Sequence, residues 1–383
     1  MVTLTLKKLF FNSKIFIIIL MLKTGLFGAL FGQQTFVNYT TSNSPLVDNR
    51  VNCVAVDNNN VKWIGTEWGL MSYDESNWVD YSSNVNYNPI RCVEFDNQGK
   101  MWVGSLGGLF RFDGINWTLF DTSSSNLDNQ INCITFDSLN QPWIGTLNGL
   151  FKYNGRFFDL VLDSSALEPY FVNVTTIQFQ DDSLIIGTKN GGVGYMYNDT
   201  ISWYSTFTGG LPDNSTYDIE ILENDSRLFA SPQGGLIMHT TSNFWFNWNI
   251  VNTPSFPTNS LTCIEKLDTN LYVSGTIGAG FFTFYFQTGT PVVTAYNSFN
   301  SPLPDNFILS VVNDLNDVVW FGTETNGLVK WDNTTNIISS LNENVHNSVG
   351  LYDLLGRKTE VEKNKILFNI KEDFSVEKVL IIE

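Results

Sequence analysis

One short cassette recurs along this chain and restricts its fold more than any bulk property does. It is an apolar pair, Gly, Thr or Ser, two or three variable residues, then Gly-Leu. Full copies read Trp63-Ile64-Gly65-Thr66 with Gly69-Leu70, Trp102-Val103-Gly104-Ser105 with Gly108-Leu109, Trp143-Ile144-Gly145-Thr146 with Gly149-Leu150, and Trp320-Phe321-Gly322-Thr323 with Gly327-Leu328. Weaker copies are Ile185-Ile186-Gly187-Thr188, Leu228-Phe229-Ala230-Ser231 and Tyr272-Val273-Ser274-Gly275. Their third positions, 65, 104, 145, 187, 230, 274 and 322, lie 39 to 48 residues apart. Seven copies at about 40 residues mark a radial array of four-stranded blades. The expected fold is all-β: a single seven-bladed β-propeller of four-stranded antiparallel blades, plus a short C-terminal β appendage.

The expected division is a signal peptide at 1–32, the propeller at 33–345 and a tail at 346–383. Lys7, Lys8 and Lys14 form a positive start, Ile15–Leu22 an apolar run, and Gly28, Ala29 and Gly32 a small-residue cleavage region. Lys23 interrupts the run, which is shorter than the about 20 residues a spanning helix needs. No integral membrane span is expected in the mature chain, which is expected to be secreted or held at the cell surface.

The chain carries a formal charge of −17, and loss of the leader's four lysines would leave −21. Nucleic acid and anionic membrane surfaces are poor partners for such a chain, because a phosphate backbone needs a basic stripe. The only histidines are His239 and His346, so a mechanism that needs a His triad or several histidine metal ligands is poorly supplied from the start. No cofactor and no metal site is expected.

Each repeat parses into strands. In the third, Ile131–Asp137, Pro142–Thr146, Leu150–Tyr153 and Phe157–Leu162 are strands separated by turn residues. Thr35–Thr40 resembles an outermost strand ahead of any cassette, and Asn336–Leu341 follows the last one. One of the two is expected to complete the final blade and remove an exposed edge. The cassette tryptophans share one phase of the second strand, which marks packing rather than sugar stacking. Gly69, Gly108, Gly149 and Gly327 sit where a tight turn wants positive φ. Cys53, Cys92, Cys133 and Cys263 share one position of the inner strand, where facing sheets stand about 10 Å apart. That spacing is too wide for a disulfide, so four free thiols are expected.

With those residues in view, the array over residues 34–341 resembles the two-component regulator propeller repeats, whose pattern is an inner strand, a turn, Trp-Ile-Gly-Thr, then Gly-Leu and an aromatic. In that family the repeats form the sensor portion of carbohydrate-responsive membrane kinases, and they also occur alone. Tyr352-Asp353-Leu354-Leu355-Gly356-Arg357 and the closing Val376–Glu383 are similar to the C-terminal sorting domain of the type IX secretion system of Bacteroidota. That resemblance implies the secretion machinery as a partner of the tail. The family's usual Pro-rich first strand is missing here.

Candidate ligand-binding residues lie on the top face, where loops entering the inner strands meet loops between second and third strands. From the latter come Glu67, Trp68, Lys189 and Glu324; from the former, Arg50, Arg91, Tyr217 and Phe307. Trp68 is an aromatic off the repeat phase, the type of side chain that stacks on sugars or anchors an interface. Glu67 and Glu324 occupy matching positions of the first and seventh cassettes, which ring closure makes neighbours. Paired carboxylates at about 5–10 Å can bind a cation or hydrolyse a glycoside. Asp57, Asp96, Asp137 and Asp314 read as turn formers. With no concentrated His/Asp/Ser constellation and no catalytic residue to name, the leading expectation is a non-catalytic exported propeller that binds a glycan or a protein. The alternatives are a glycan-active enzyme or one resembling the streptogramin lyases, and a structural part of a secretion or adhesion apparatus.

Overall fold

The structure is a computed structural model that describes residues 35–163, 173–198 and 200–332, together with strands at 348–353, 358–359, 365–371 and 376–382. The expected leader and the segment Asn336–Leu341 lie outside the described residues. One unit, Phe36–Trp331, contains seven four-stranded antiparallel sheets.

An outermost strand comes first, β1 (Thr35–Tyr39). Blade 1 is β2 (Val51–Val56), β3 (Lys62–Thr66), β4 (Gly69–Tyr73) and β5 (Trp78–Asp80). Blade 2 is β6 (Ile90–Phe95), β7 (Met101–Ser105), β8 (Gly108–Phe112) and β9 (Trp117–Phe120). Blade 3 is β10 (Ile131–Phe136), β11 (Pro142–Thr146), β12 (Gly149–Tyr153) and β13 (Phe158–Asp163). Blade 4 is β14 (Asn173–Gln180), β15 (Ser183–Lys189), β16 (Val193–Tyr197) and β17 (Thr200–Tyr204). Blade 5 is β18 (Asp218–Ile221), β19 (Arg227–Ser231), β20 (Gly235–His239) and β21 (Trp245–Trp248). Blade 6 is β22 (Leu261–Asp268), β23 (Leu271–Thr276), β24 (Phe281–Gln287) and β25 (Thr290–Tyr296). Blade 7 is β26 (Ile308–Asn313), β27 (Val319–Thr323) and β28 (Leu328–Asp332), and its fourth strand is β1.

The N-terminal strand therefore closes the ring. Each inner strand packs beside those of the two adjoining blades, and β26 packs beside β2, so the circle of seven is complete. Closure removes the free edge that would otherwise template pairing with another chain.

The cassette explains how the wedges fit. Its first glycine pairs across the sheet with the recurring inner-strand residue: Gly65 with Cys53, Gly104 with Cys92, Gly145 with Cys133 and Gly275 with Cys263. A Cβ on Gly104 would stand 2.4 Å from Cys92 Sγ and 2.6 Å from Ile131 of the next blade. The glycine is thus the place where one blade's inner strand seats against its neighbour. The four cysteines are unpaired and fill the same gap, as the wide spacing predicts.

Trp63, Trp102, Trp143 and Trp320 are buried in the seams. Each removes about 150–250 Å² from water, worth about 4–6 kcal/mol at most. Each indole also donates to the aspartate of its own hairpin turn: Trp63 to Asp57 at 3.2 Å, Trp102 to Asp96 at 3.4 Å, Trp143 to Asp137 at 3.2 Å and Trp320 to Asp314 at 2.8 Å. The other carboxylate oxygen of each aspartate accepts two turn amides, such as Gln98 and Lys100 on Asp96. The turn acids are therefore also the polar anchors of the tryptophans. Every seam between blades holds its own apolar cluster.

In the degraded blades other residues hold the seam. Between blades 4 and 5, His239 stacks on Trp245 at 4.0 Å, with Tyr195 bonded to its Nδ1 and Asn243 to its Nε2. The closing seam between blades 7 and 1 carries a fully buried Lys62, paired with Asp314 and Glu75 at 2.9 Å each and lying over the Trp320 ring.

The second unit contains an antiparallel sheet of β29 (Ser348–Asp353), β30 (Lys358–Thr359), β31 (Lys365–Lys371) and β32 (Val376–Ile382), in the order β30-β29-β31-β32. The closing run named in the sequence, Val376–Glu383, supplies β32 over Val376–Ile382. Among the described residues no helix is long and apolar enough to cross a membrane.

Candidate functional site at the mouth of the ring

The top mouth is shaped by a bulge near the start of the inner strands. Register shifts fall between Val51 and Cys53, Ile90 and Cys92, Ile131 and Cys133, Val174 and Thr176, Leu261 and Cys263, and Ile308 and Ser310. A bulge leaves one extra residue outside the ladder and re-aims its side chain. Thr262 uses this freedom to bond the carbonyl of Ile308 on the next blade at 2.7 Å, and Asn132 bonds that of Val174 at 2.8 Å.

At blade 1 the equivalent residue behaves differently. Asn52 turns to Glu67 instead, donating to Oε2 at 3.1 Å and accepting from Arg50 Nε at 3.1 Å. Arg50 then reaches across the closing seam, with Nη1 2.7 Å from Glu324 Oε1 and Nε 3.6 Å from Glu67 Oε2. The backbone fixes both acids, since the Glu67 amide bonds the Arg50 carbonyl and the Glu324 amide bonds the Phe307 carbonyl. Next in the chain stands Trp68, 61% exposed, its amide held by Thr66 Oγ1 at 3.2 Å.

The expected neighbours Glu67 and Glu324 are thus brought together, with Arg50 between them. One guanidinium bridges the two acids, so the group is a hydrogen-bonded cluster with one formal negative charge left over rather than two bare carboxylates. Its three charged side chains are 34–39% exposed, and ion pairs so open to water contribute at most about 1 kcal/mol to stability. Fixed fork geometry beside an exposed indole suits recognition of paired hydroxyl groups or a peptide edge. Phe307 joins the cluster through its carbonyl and is 40% exposed. Arg91 on blade 2, Lys189 on blade 4 and Tyr217 before β18 stand at other points of the ring and are not drawn into it. Burial raises the Tyr217 phenol above its ordinary value, with Asp213 adding to the shift.

Sequence reasoning missed Asn52, whose signal is its place as the extra residue of the bulge. It also missed four acids on the inner strands: Glu94, Asp218, Glu220 and Glu265. Asp218 takes the position held by cysteine in other blades and accepts from the Ile264 amide at 2.8 Å. Glu265 accepts from the Asn313 amide at 3.3 Å. Burial pushes Asp218 up to about 6, Glu94 and Glu220 to about 7 and Glu265 to about 8, and mutual repulsion adds to the last three. Glu94 is open to solvent yet walled by the surrounding blades, which is why its carboxyl shifts despite its exposure.

The fold and this mouth define a seven-bladed ring whose loops differ from blade to blade on one face. The family described as "Two component regulator propeller" matches residues 84–107, the approach to β6 through the blade 2 cassette. No curated protein sequence matches this chain. Among solved structures, it is similar to the extracellular domain of a hybrid two component system, BT3049, from B. thetaiotaomicron, at 16% identity and a TM-score of 0.65. That match covers 92% of this chain and 49% of the other, so the chain spans about half of that domain. It is similar to PorZ, a bacterial surface component of the type-IX secretion system of Porphyromonas gingivalis, at 16% identity and a TM-score of 0.57, covering 88% of this chain and 60% of that one. It is also similar to virginiamycin B lyase from Staphylococcus aureus, in a catalytically inactive His-to-Ala form, at 13% identity and a TM-score of 0.61, covering 78% and 98%. At these identities the likeness establishes the propeller fold.

Proposed function

We propose that this chain is an exported, non-catalytic β-propeller that binds a glycan or a protein ligand through its top face, at the cell surface or outside the cell. The observation that carries this reading is the exposed Trp68 beside the Arg50–Asn52–Glu67–Glu324 network, an aromatic platform next to a prearranged polar fork. Arg91, Lys189, Tyr217 and Phe307 are proposed as further contacts around the mouth. Residues 1–32 are proposed as the leader, 33–345 as the propeller and 346–383 as a tail read by the secretion machinery. The surface location of PorZ and the extracellular placement of the BT3049 domain support export. His239 does not favour a lyase-like role, because it is 5% exposed and both ring nitrogens are already bonded within a seam.

The test is a glycan array and an envelope-protein pull-down with the wild-type chain and with Trp68→Ala and Arg50→Ala. Binding should fall at least about ten-fold in either variant, the equivalent of about 1.4 kcal/mol, with melting temperature unchanged. A ligand bound equally by wild type and both variants would remove the mouth from consideration. Truncation at Asn344 should keep the protein inside the cell; its appearance in the medium would count against the tail's role.

A further inference from the structure

Five inter-blade loops of the top face share one turn among the described residues, and this makes their tips comparable. In each, an asparagine side chain at the loop's end accepts the amide just before the tip: Asn49 from Thr41, Asn129 from Thr122, Asn214 from Thr206, Asn259 from Ile250 and Asn306 from Ser298. The tip residue that follows is Ser42 or Ser123 in two of these loops. In the three consecutive loops joining blades 4 to 7 it is Phe207, Val251 and Phe299, exposed by 81%, 84% and 93%. Ile250, beside Val251, is 50% exposed. Three consecutive inter-blade loops therefore raise an apolar side chain at one equivalent point of one face, where two other loops carry serine.

We propose that this arc is a docking edge for an uncharged or zwitterionic lipid surface. First, the tip segments 205–212, 249–259 and 297–304 contain no Asp, Glu, Lys or Arg, in a chain with net charge −17, and the acids that close two of these loops, Asp213 and Asp305, follow the tips by six residues. On the opposite face three exposed apolar turn residues keep charged company, Ile115 two residues after Asp113, Phe157 under Arg156 and Leu315 between Asp314 and Asp317, while Phe244 stands in an uncharged turn. Second, the tip amides are already bonded, Phe207 to Ser205 Oγ at 3.2 Å, Val251 to Asn249 Oδ1 at 2.9 Å and Phe299 to Asn297 Oδ1 at 2.9 Å. A tip whose donors are satisfied enters a low-dielectric layer without the penalty of an unpaired group. Third, the side chains project singly from separate loops. A lipid interface receives such points without matched sockets, whereas a protein partner needs a cavity for each. The acidic body makes anionic lipid unfavourable, so neutral headgroups are the surface that fits.

The test is flotation of the full chain with vesicles of phosphatidylcholine alone, and with phosphatidylserine added. The variant is Phe207→Ser, Val251→Ser, Phe299→Ser, which restores the residue found in the homologous loops. Wild type should float with phosphatidylcholine vesicles at about 1 mM lipid, more weakly than the single-acyl-chain limit of about 10⁴ M⁻¹. The variant should float at least about ten-fold less, with the melting temperature and any Trp68-dependent binding unchanged. Phosphatidylserine should lower the bound fraction. Failure of wild type to float, equal flotation of the variant, or stronger binding to phosphatidylserine vesicles would each overturn the proposal. So would tip-dependent capture of an envelope protein by a chain that ignores protein-free vesicles. Loss of Trp68-dependent binding alone would bear on the mouth and leave the arc standing.

Discussion

Glu265→Gln should make the propeller more stable at alkaline pH while leaving it nearly unchanged in acid. Glu265 lies on β22, bonded to the Asn313 amide and repelled by Glu220, Asp218 and Glu94, and burial lifts its carboxyl from an ordinary 4.5 to about 8. A folded-state value raised above the unfolded one favours the neutral form. The stability it contributes is complete below about pH 4.5 and is lost as pH rises through about 8. A carboxyl raised that far sets a ceiling of about 5 kcal/mol on the effect. Relaxation of the neighbouring acids and partial access to water bring the expected effect to about 2–4 kcal/mol. Glutamine keeps the shape and removes the ionisation. Thermal melts of wild type and variant should differ by about 1 kcal/mol or less at pH 5, and the variant should melt roughly 5–10 °C higher at pH 8.5. Parallel pH profiles would refute the reasoning, because they would place the carboxylate in water. A variant that melts lower at pH 8.5 would refute it as well, by making the ionised group a net stabiliser.

Other consequences follow from the seams. Gly145→Val should cost at least about 2–3 kcal/mol by overpacking, since a Cβ there already stands 2.3 Å from Cys133 Sγ and 2.7 Å from Val174; a neutral effect in denaturant melts would contradict the seating role. Lys62→Met should cost about 3–5 kcal/mol by leaving the Asp314 carboxylate buried without its cation, read as a lower urea midpoint at constant slope. Deleting residues 33–41 removes β1 and should broaden or split the melting transition; unchanged cooperative melting would show that the strand closes nothing. All four thiols should be alkylated under denaturing, non-reducing conditions, as read by mass.

The scaffold was legible because its physics repeats. Gly65, Gly104, Gly145 and Gly322 must lack a side chain for one geometric reason, and Trp63, Trp102, Trp143 and Trp320 fill one kind of gap, so spacing alone revealed blade number and strand order. The blade 3 strands fell where turn residues placed them, within a residue at each end. What the sequence left open was which end of the chain supplies the last strand, since Thr35–Thr40 and Asn336–Leu341 read alike as strand text and pairing to β28 is a long-range choice. The role of Asp96 and its counterparts was half-visible. Turn propensity explains one carboxylate oxygen, and only the six-residue offset to the tryptophan explains the other.

The mouth and the arc were harder to read for the opposite reason: function in a repeat array sits where a blade departs from its siblings, and a single sequence shows many departures without ranking them. Glu67 and Glu324 look like two acids until folding brings Arg50 across the closing seam, 274 residues from Glu324. Asn52 looks like any strand residue until the bulge frees it from the ladder and the next blade offers no bond that it takes. The serine-to-phenylalanine change at the loop tips gains meaning only when a shared asparagine bond puts Ser42, Ser123, Phe207 and Phe299 in one register. In each case the informative quantity is a difference between homologous positions within the ring, and the fold is what makes those positions comparable. The physical division is therefore sharp: packing residues are conserved in phase because seven seams impose one constraint, while the rim is released from that constraint and free to carry chemistry.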